Sequence, residues 1–249
     1  MANEVATLPK KELVDQVEAK LTEMITARVD AFPKELNKTR FVQNCIAVLQ
    51  DTKDIEKCKP GSIVRTMIKG AYLGLDFFRR ECYAIPYGDV LNFQTDYKGE
   101  IKLAKKYGRN ILDIYAKLFQ EGDEFEIQIN AGVQTLNFKP KPFNDGKVTG
   151  VFAVVLFKDG TMKYDTMSVK EVEDVRNKYS KAANSPGWVK SWGEMAKKTV
   201  LRRLCKLIDL DFDSPEQQRA YEDGGDAHIH QAADPKPKER VPDPFKKVS

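Results

Sequence analysis

The sequence predicts an α+β fold: N-terminal helices, a mostly antiparallel sheet assembled from hairpins, then C-terminal helices. Three observations carry this. Apolar residues recur at helical spacing up to Leu75, the period shifts to two across residues 82–167, and helical spacing returns from Ser168.

Leu13, Val17, Leu21, Met24 and Ile25 form a first helical stripe, and Phe41, Val42, Cys45, Ile46 and Leu49 a second. Ile63, Val64, Met67, Ile68, Ala71, Tyr72 and Leu75 form a third, opened by Pro60 where a missing N–H costs little. All three stripes are expected to be core, without chemistry. Strands are predicted over 82–87 and 90–94 around a Gly88-Asp89 turn. A helix over 97–107 should stop at Gly108. Alternating segments follow at Leu112–Leu118, Phe125–Ile129 and Leu136–Phe138. Residues 148–157 are nearly all apolar, as in a strand covered on both faces, and Asp159-Gly160 turns them into a partner over 161–167. Ser168 and Glu171 have capping-box spacing for a helix carrying Val172, Val175 and Tyr179. After Asn184-Ser185-Pro186-Gly187, one long helix is predicted over 188–208, with Ala196, Val200, Leu204 and Leu207 on its inner face. From Asp223 the chain is Gly, Pro and charge, so a flexible tail is expected. The organisation anticipated is an N-terminal helical region (1–54), a core (55–212), and a short helix with a tail (213–249).

Composition removes several classes of function. The 249 residues are 41% hydrophobic and 31% charged, and no apolar run approaches the length of a membrane span. The N-terminus lacks the basic and apolar regions of a signal peptide, so a cytoplasmic protein is expected. Cys45, Cys58, Cys82 and Cys205 are scattered without a CxxC and are expected to be reduced thiols. His228 and His230 are the only histidines and fall in the expected tail, which disfavours a His-based triad. No GxxxxGK stands in the chain, so nucleotide hydrolysis is unsupported and no ATP is expected. A carboxylate-only nuclease would draw on Asp113, Asp123, Glu124, Glu126, Asp209, Asp211 and Asp213. Magnesium is possible but required by no motif, and no metal ligands are assigned.

The net charge of +4 hides two basic blocks. Residues 176–206 hold nine Lys and Arg against Glu194, and residues 97–117 hold six against Glu100 and Asp113. Lys98, Lys102 and Lys105 share an arc of under about 60° on a helix, and Arg109 would extend it. Lys198, Arg202 and Lys206 recur opposite the apolar face of the later helix. Stacked like charges weaken an isolated helix, so a bound polyanion is the expected compensation. Tyr97 and Tyr107 accompany the first stripe, Trp188 and Trp192 the second. Such tracks suit single-stranded nucleic acid, with phosphates on the cations and bases on the rings. The alternative for both tryptophans is to pin the helix start to the core.

Five blocks then carry a resemblance. Leu73-Gly74-Leu75-Asp76, Cys82-Tyr83-Ala84-Ile85-Pro86-Tyr87-Gly88, Asp96-Tyr97-Lys98-Gly99, Gly122-Asp123-Glu124-Phe125 and WVKSWGEMAKKTVLRRLCK (188–206) occur in order. Together, over about 55–210, the chain resembles the RecT family of phage single-strand annealing recombinases. The resemblance implies a protein that binds single-stranded DNA without ATP, pairs complementary strands and holds the annealed duplex. It implies rings or helical filaments of the chain itself, a phage exonuclease as partner, and no covalent chemistry. Tyr97, Lys98, Lys102, Lys197, Lys198, Arg202 and Arg203 are the DNA-site residues carried over, with Arg203 open to a structural role. Leu75-Asp76-Phe77-Phe78-Arg79-Arg80 departs from the family's usual Leu-Asn-Pro type of turn. A passive single-strand coating protein and the metal-dependent nuclease are the competing readings.

Overall fold

The computed structural model describes residues 9–180 and 182–225. Helices α1 (Lys10–Ala27), α2 (Lys38–Asp51) and α3 (Pro60–Leu73) come first, with two single 3-10 turns between them. A hairpin, β1 (Cys82–Tyr87) and β2 (Val90–Thr95), precedes α4 (Tyr97–Tyr107). Strands β3 (Ile111–Gln120), β4 (Glu124–Asn130), β5 (Val133–Lys139), β6 (Val148–Phe157) and β7 (Met162–Ser168) follow, then α5 (Val169–Tyr179), α6 (Pro186–Lys190), α7 (Trp192–Cys205) and α8 (Pro215–Asp223). All strand pairs are antiparallel: β1 with β2, β4 with β5, and a three-stranded sheet in the order β3-β6-β7. The α+β expectation holds.

Two apolar clusters organise these elements. The first joins the three helical stripes of α1–α3 to Leu91 and Phe93 of the hairpin, Leu103 and Tyr107 of α4, and Ala220 of α8. It includes residues on both sides of residue 54. The second lies between the three-stranded sheet and α5–α7. Strand β6 presents Val151, Ala153 and Val155 to the helices. Its Phe152 faces the other way, against Phe125 and Phe138 of the β4–β5 hairpin at 5.1 and 4.9 Å. Both faces of β6 are therefore covered, which is why its sequence does not alternate. Helix α4 feeds Leu103 into the first cluster and Ala104 into the second.

The local signals explain most boundaries. Ser168 and Glu171 form the reciprocal capping box. Gly74 ends α3 at φ 65°, a conformation glycine adopts without Cβ strain. Gly99 answers a different demand: a Cβ there would collide with the Glu81 carbonyl oxygen, so α4 rests directly on the backbone entering β1.

One expectation is corrected. The predicted helix over 188–208 is two helices, because Ser191 leaves helical geometry at φ −137° and ψ 42° between α6 and α7. Helix α7 stops at Cys205, so Ala196, Val200 and Leu204 are buried while Leu207 turns outward, 54% exposed. The short helix expected after 213 is α8; the tail, with His228 and His230, lies outside the described residues.

Candidate nucleic-acid interface

The basic stripe expected on the outer face of α7 is placed inside the protein. Arg202 is 5% exposed, and its guanidinium donates to Glu100, itself fully buried on α4. The same fork reaches the carbonyls of Tyr221 and Glu222 on α8 and lies over the Tyr221 ring at 4.2 Å. Burial, then the charge of Glu100, pushes the Tyr221 phenol well above its usual range. Lys198 is 6% exposed, with Asp96 among its electrostatic neighbours. The reason is packing: α7 has the sheet on one flank and α4 on the other, so the side opposite its apolar face is also covered. Arg203 takes the structural option, bound to Asp165 of β7 at 2.9 Å. Lys197 pairs with Glu194 at 2.6 Å and sits 5.0 Å over the Tyr97 ring. Lys206 is exposed beyond the helix end, and partial desolvation, then repulsion from Arg202 and Arg203, lowers its pKa.

The α4 stripe also disperses. Lys102 reaches Glu81 at 2.6 Å and the Gly74 carbonyl at 2.8 Å. Lys105 pairs with Asp113 at 2.7 Å, and Arg109 with Asp211 at 2.9 Å. Helical phase placed these cations on one arc, but each bends to a carboxylate on a different neighbour. Of the four, Lys98 alone points into the groove described below. Tyr107 is 5% exposed and packs on Phe212 at 4.7 Å, which withdraws it from base stacking. Trp188 is 2% exposed in the second cluster with its indole N–H donated to Ser180, and it also borders the groove described below. Trp192 is half-buried against the second cluster and donates to Glu173.

What the structure brings together instead is a groove of about 1270 Å³ across the outer face of the β1–β2 hairpin. The register pairs Tyr83 with Gln94, Ile85 with Asn92 and Tyr87 with Val90, and all six line the groove. The inner face of the same hairpin, Leu91, Phe93 and Thr95, is buried. Helix α3 clips the hairpin edge: Leu91 N–H donates to Ser62, and Thr66 donates to the Leu91 carbonyl. Leu91 therefore points its backbone away from β1, and its partner Pro86 sits at a position that needs no ladder N–H. One turn along α3, Arg65 and Lys69 border the groove. Arg80 enters from the 74–81 turn, where Asp76 accepts from the backbone N–H of Phe78 and Arg79. Asp76 thus organises the segment whose sequence departs from the usual turn. Tyr97 and Lys98 complete the wall from the start of α4.

Among the described residues no ion pair involves Arg65, Arg80 or Lys98, and all three are exposed. Tyr83 and Tyr87 are 38% and 36% exposed on the groove face of β1. Carboxylates are present too: Asp96, Glu194, Glu222 and Asp223. Asp96 caps α4 by accepting from Lys98 N–H, and burial raises its pKa. Tyr83's pKa is raised by burial and then by Asp96, with Arg80 opposing. Sequence reasoning missed Arg65, Lys69, Arg80, Tyr83 and Tyr87. A signal existed in Ser62, Arg65, Thr66 and Lys69, a polar line at i, i+3, i+4 and i+7 on an otherwise apolar helix.

Comparison with known proteins finds a family and two relatives. The model of the RecT family matches residues 39–237. The chain is 31% identical to Protein RecT of Escherichia coli (strain K12) over 193 residues, covering 74% of this chain and 71% of that one. It is 27% identical to the uncharacterized protein YqaK of Bacillus subtilis (strain 168) over 200 residues, covering 77% and 66%.

Proposed function

The chain belongs to the RecT family, and on that premise we propose that it binds single-stranded DNA in the hairpin groove and anneals complementary strands. One observation supports the site above all: Arg65, Arg80 and Lys98 converge on a groove floored by two exposed tyrosines, while the other basic candidates of α4 and α7, Lys206 apart, are paired or buried. A phosphate chain would meet these cations without first breaking an ion pair. Bases would stack on Tyr83 and Tyr87, four residues apart and so about 13 Å along the strand.

In this reading the protein lowers the repulsion between two polyanions and holds one strand where a second can test its pairing. Correct duplex is retained by base stacking of about 1.4 kcal/mol per step, so neither ATP nor a covalent step enters. Recognition is of charge and shape; sequence is read by the complementary strand. With three phosphate contacts, log K is expected to fall by about 2 per decade of salt. Self-association along the strand, an exonuclease that supplies single strands, and action in the cytoplasm of a bacterial host complete the proposal. None of the helices among the described residues is long and apolar enough to cross a membrane.

The test uses two complementary oligonucleotides carrying a fluorophore and a quencher, without ATP. Annealing faster than in buffer, with strands intact in magnesium and the gain lost in Arg80→Ala/Lys98→Ala, is the expected result. Slower annealing would make the chain a passive coat, and shortened strands would make it a nuclease.

A further inference from the structure

We propose that the C-terminal end of α8 is an internal competitor for the strand, with the Asp223 carboxylate holding the position on Lys69 that a backbone phosphate takes when DNA binds. This rests on the groove being the strand site. Four cations border the groove, Arg65, Lys69, Arg80 and Lys98, and among the described residues Lys69 is the one of them with an ion pair: its Nζ is 2.8 Å from Asp223 Oδ2. Glu222 and Gly225 line the same wall, so the acidic end of α8 belongs to the groove surface.

Two further observations set these carboxylates apart from ordinary surface charge. Glu222 and Asp223 stand in the last turn of α8, with no basic residue in that turn. Acids there face the negative end of the helix dipole and cost the helix stability, so helix formation does not account for them. The end of α8 is also held in place with unusual care. Arg202 donates to the Tyr221 and Glu222 carbonyls, and the Thr95 backbone N–H donates to the Gly224 carbonyl at 3.1 Å. A helix end that opposes its own acids is thus fastened beside Lys69 by a buried arginine.

The chemistry is an exchange of anions. Asp223 is 55% exposed, so it can release Lys69 without unfolding anything. A strand that neutralises Lys69 must displace it, whereas a lone phosphate or short oligonucleotide meets a groove already partly neutralised. The competitor therefore favours strands long enough to engage several cations together. It also eases release of the annealed product, because Asp223 can recapture Lys69 as the backbone leaves.

The test is binding of a labelled oligonucleotide by the full chain, read by fluorescence anisotropy across a salt series. Asp223→Asn is expected to bind roughly two- to fivefold tighter, the worth of one exposed ion pair. Its slope against log salt should steepen by up to about 0.7, since Lys69 then contributes a full contact. Lys69→Ala should weaken Asp223→Asn more than it weakens the parent chain. Equal or weaker binding by Asp223→Asn, with its unfolding midpoint unchanged, would overturn the proposal. Should Asp223→Asn lower the midpoint, Asp223→Ser carries the same prediction and the same refutation. Failure of the groove reading is separate: it would appear as unchanged binding in Lys98→Ala and Tyr83→Ala.

Discussion

Replacing Arg202 is expected to remove DNA binding by unfolding the protein, with no loss of a strand contact. The guanidinium is buried between α7, α4 and α8 and neutralises Glu100, which is 0% exposed. Removing one partner of a buried pair leaves an uncompensated charge and costs about 3–5 kcal/mol. Total stabilities of single domains run from about 5 to 15 kcal/mol, so Arg202→Ala consumes a large part of the reserve. The carbonyls of Tyr221 and Glu222 lose their donor in the same step. Arg202→Lys is no rescue, because one ammonium cannot span Glu100 and two carbonyls with the geometry of a fork. Arg202→Met combined with Glu100→Gln removes both charges and should regain much of the loss. The assay is guanidinium unfolding followed by far-ultraviolet circular dichroism, with binding measured only where each variant is folded. Arg202→Ala retaining stability within about 1 kcal/mol while losing binding would refute the reasoning and return Arg202 to the strand.

Other outcomes follow from the same geometry. Tyr83→Ala and Tyr87→Ala are each expected to weaken single-strand binding by about 1–3 kcal/mol with little change in unfolding midpoint, measured by anisotropy and thermal melting. Asp96, in the groove with Lys98 and Tyr83 and with Lys198 as an electrostatic neighbour, has its pKa raised by burial, so the folded state takes up its proton at higher pH than the unfolded chain does. Its contribution to stability therefore falls as pH rises through that raised pKa, and polyanion affinity, which gains when the carboxylate is neutral, falls over the same range. Asp96→Asn keeps the helix cap and should flatten this part of the pH profile; an unchanged profile refutes the assignment. Gly99→Ala should cost roughly 1–3 kcal/mol in chemical unfolding, because the new Cβ meets the Glu81 carbonyl. All four cysteines are buried, and burial pushes the Cys205 thiol up to about 12, so thiol reagents should react with the native chain far more slowly than with the denatured one.

The sequence made legible what depends on near neighbours in the chain. Apolar period located α1–α4, the double coverage of β6 showed in its unbroken apolar run, and Ser168 with Glu171 marked the start of α5. The site was less legible because helical phase describes one helix at a time. Lys198 and Arg202 lie opposite an apolar stripe, which predicts solvent for a helix with one covered side; α7 has two. Lys102, Lys105 and Arg109 share an arc, yet Glu81, Asp113 and Asp211 arrive from three other segments to claim them. Tyr83 and Tyr87 stand in a block whose resemblance to the family says nothing of their direction. Their alternation becomes meaningful only once Leu91 and Phe93 fix which face of the hairpin is buried.

The hydrogen bonds between Thr95 and Gly224 join residues 129 apart, and the Arg202 fork closes the same loop from a third element. That separation has a consequence for the order of events during synthesis. At about 5–20 residues per second, the hairpin emerges many seconds before the α8 segment that completes its wall. Early chains can collapse the α1–α3 stripes around Leu91 and Phe93, since all of those residues have then emerged. The groove cannot be finished until residue 224 has left the ribosome, because one side of it and the Glu100 counter-charge both come later than the hairpin. Completion of the groove thus waits for the α8 segment, and a ribosome stalled within α7 would hold a folded helical lobe beside an open edge.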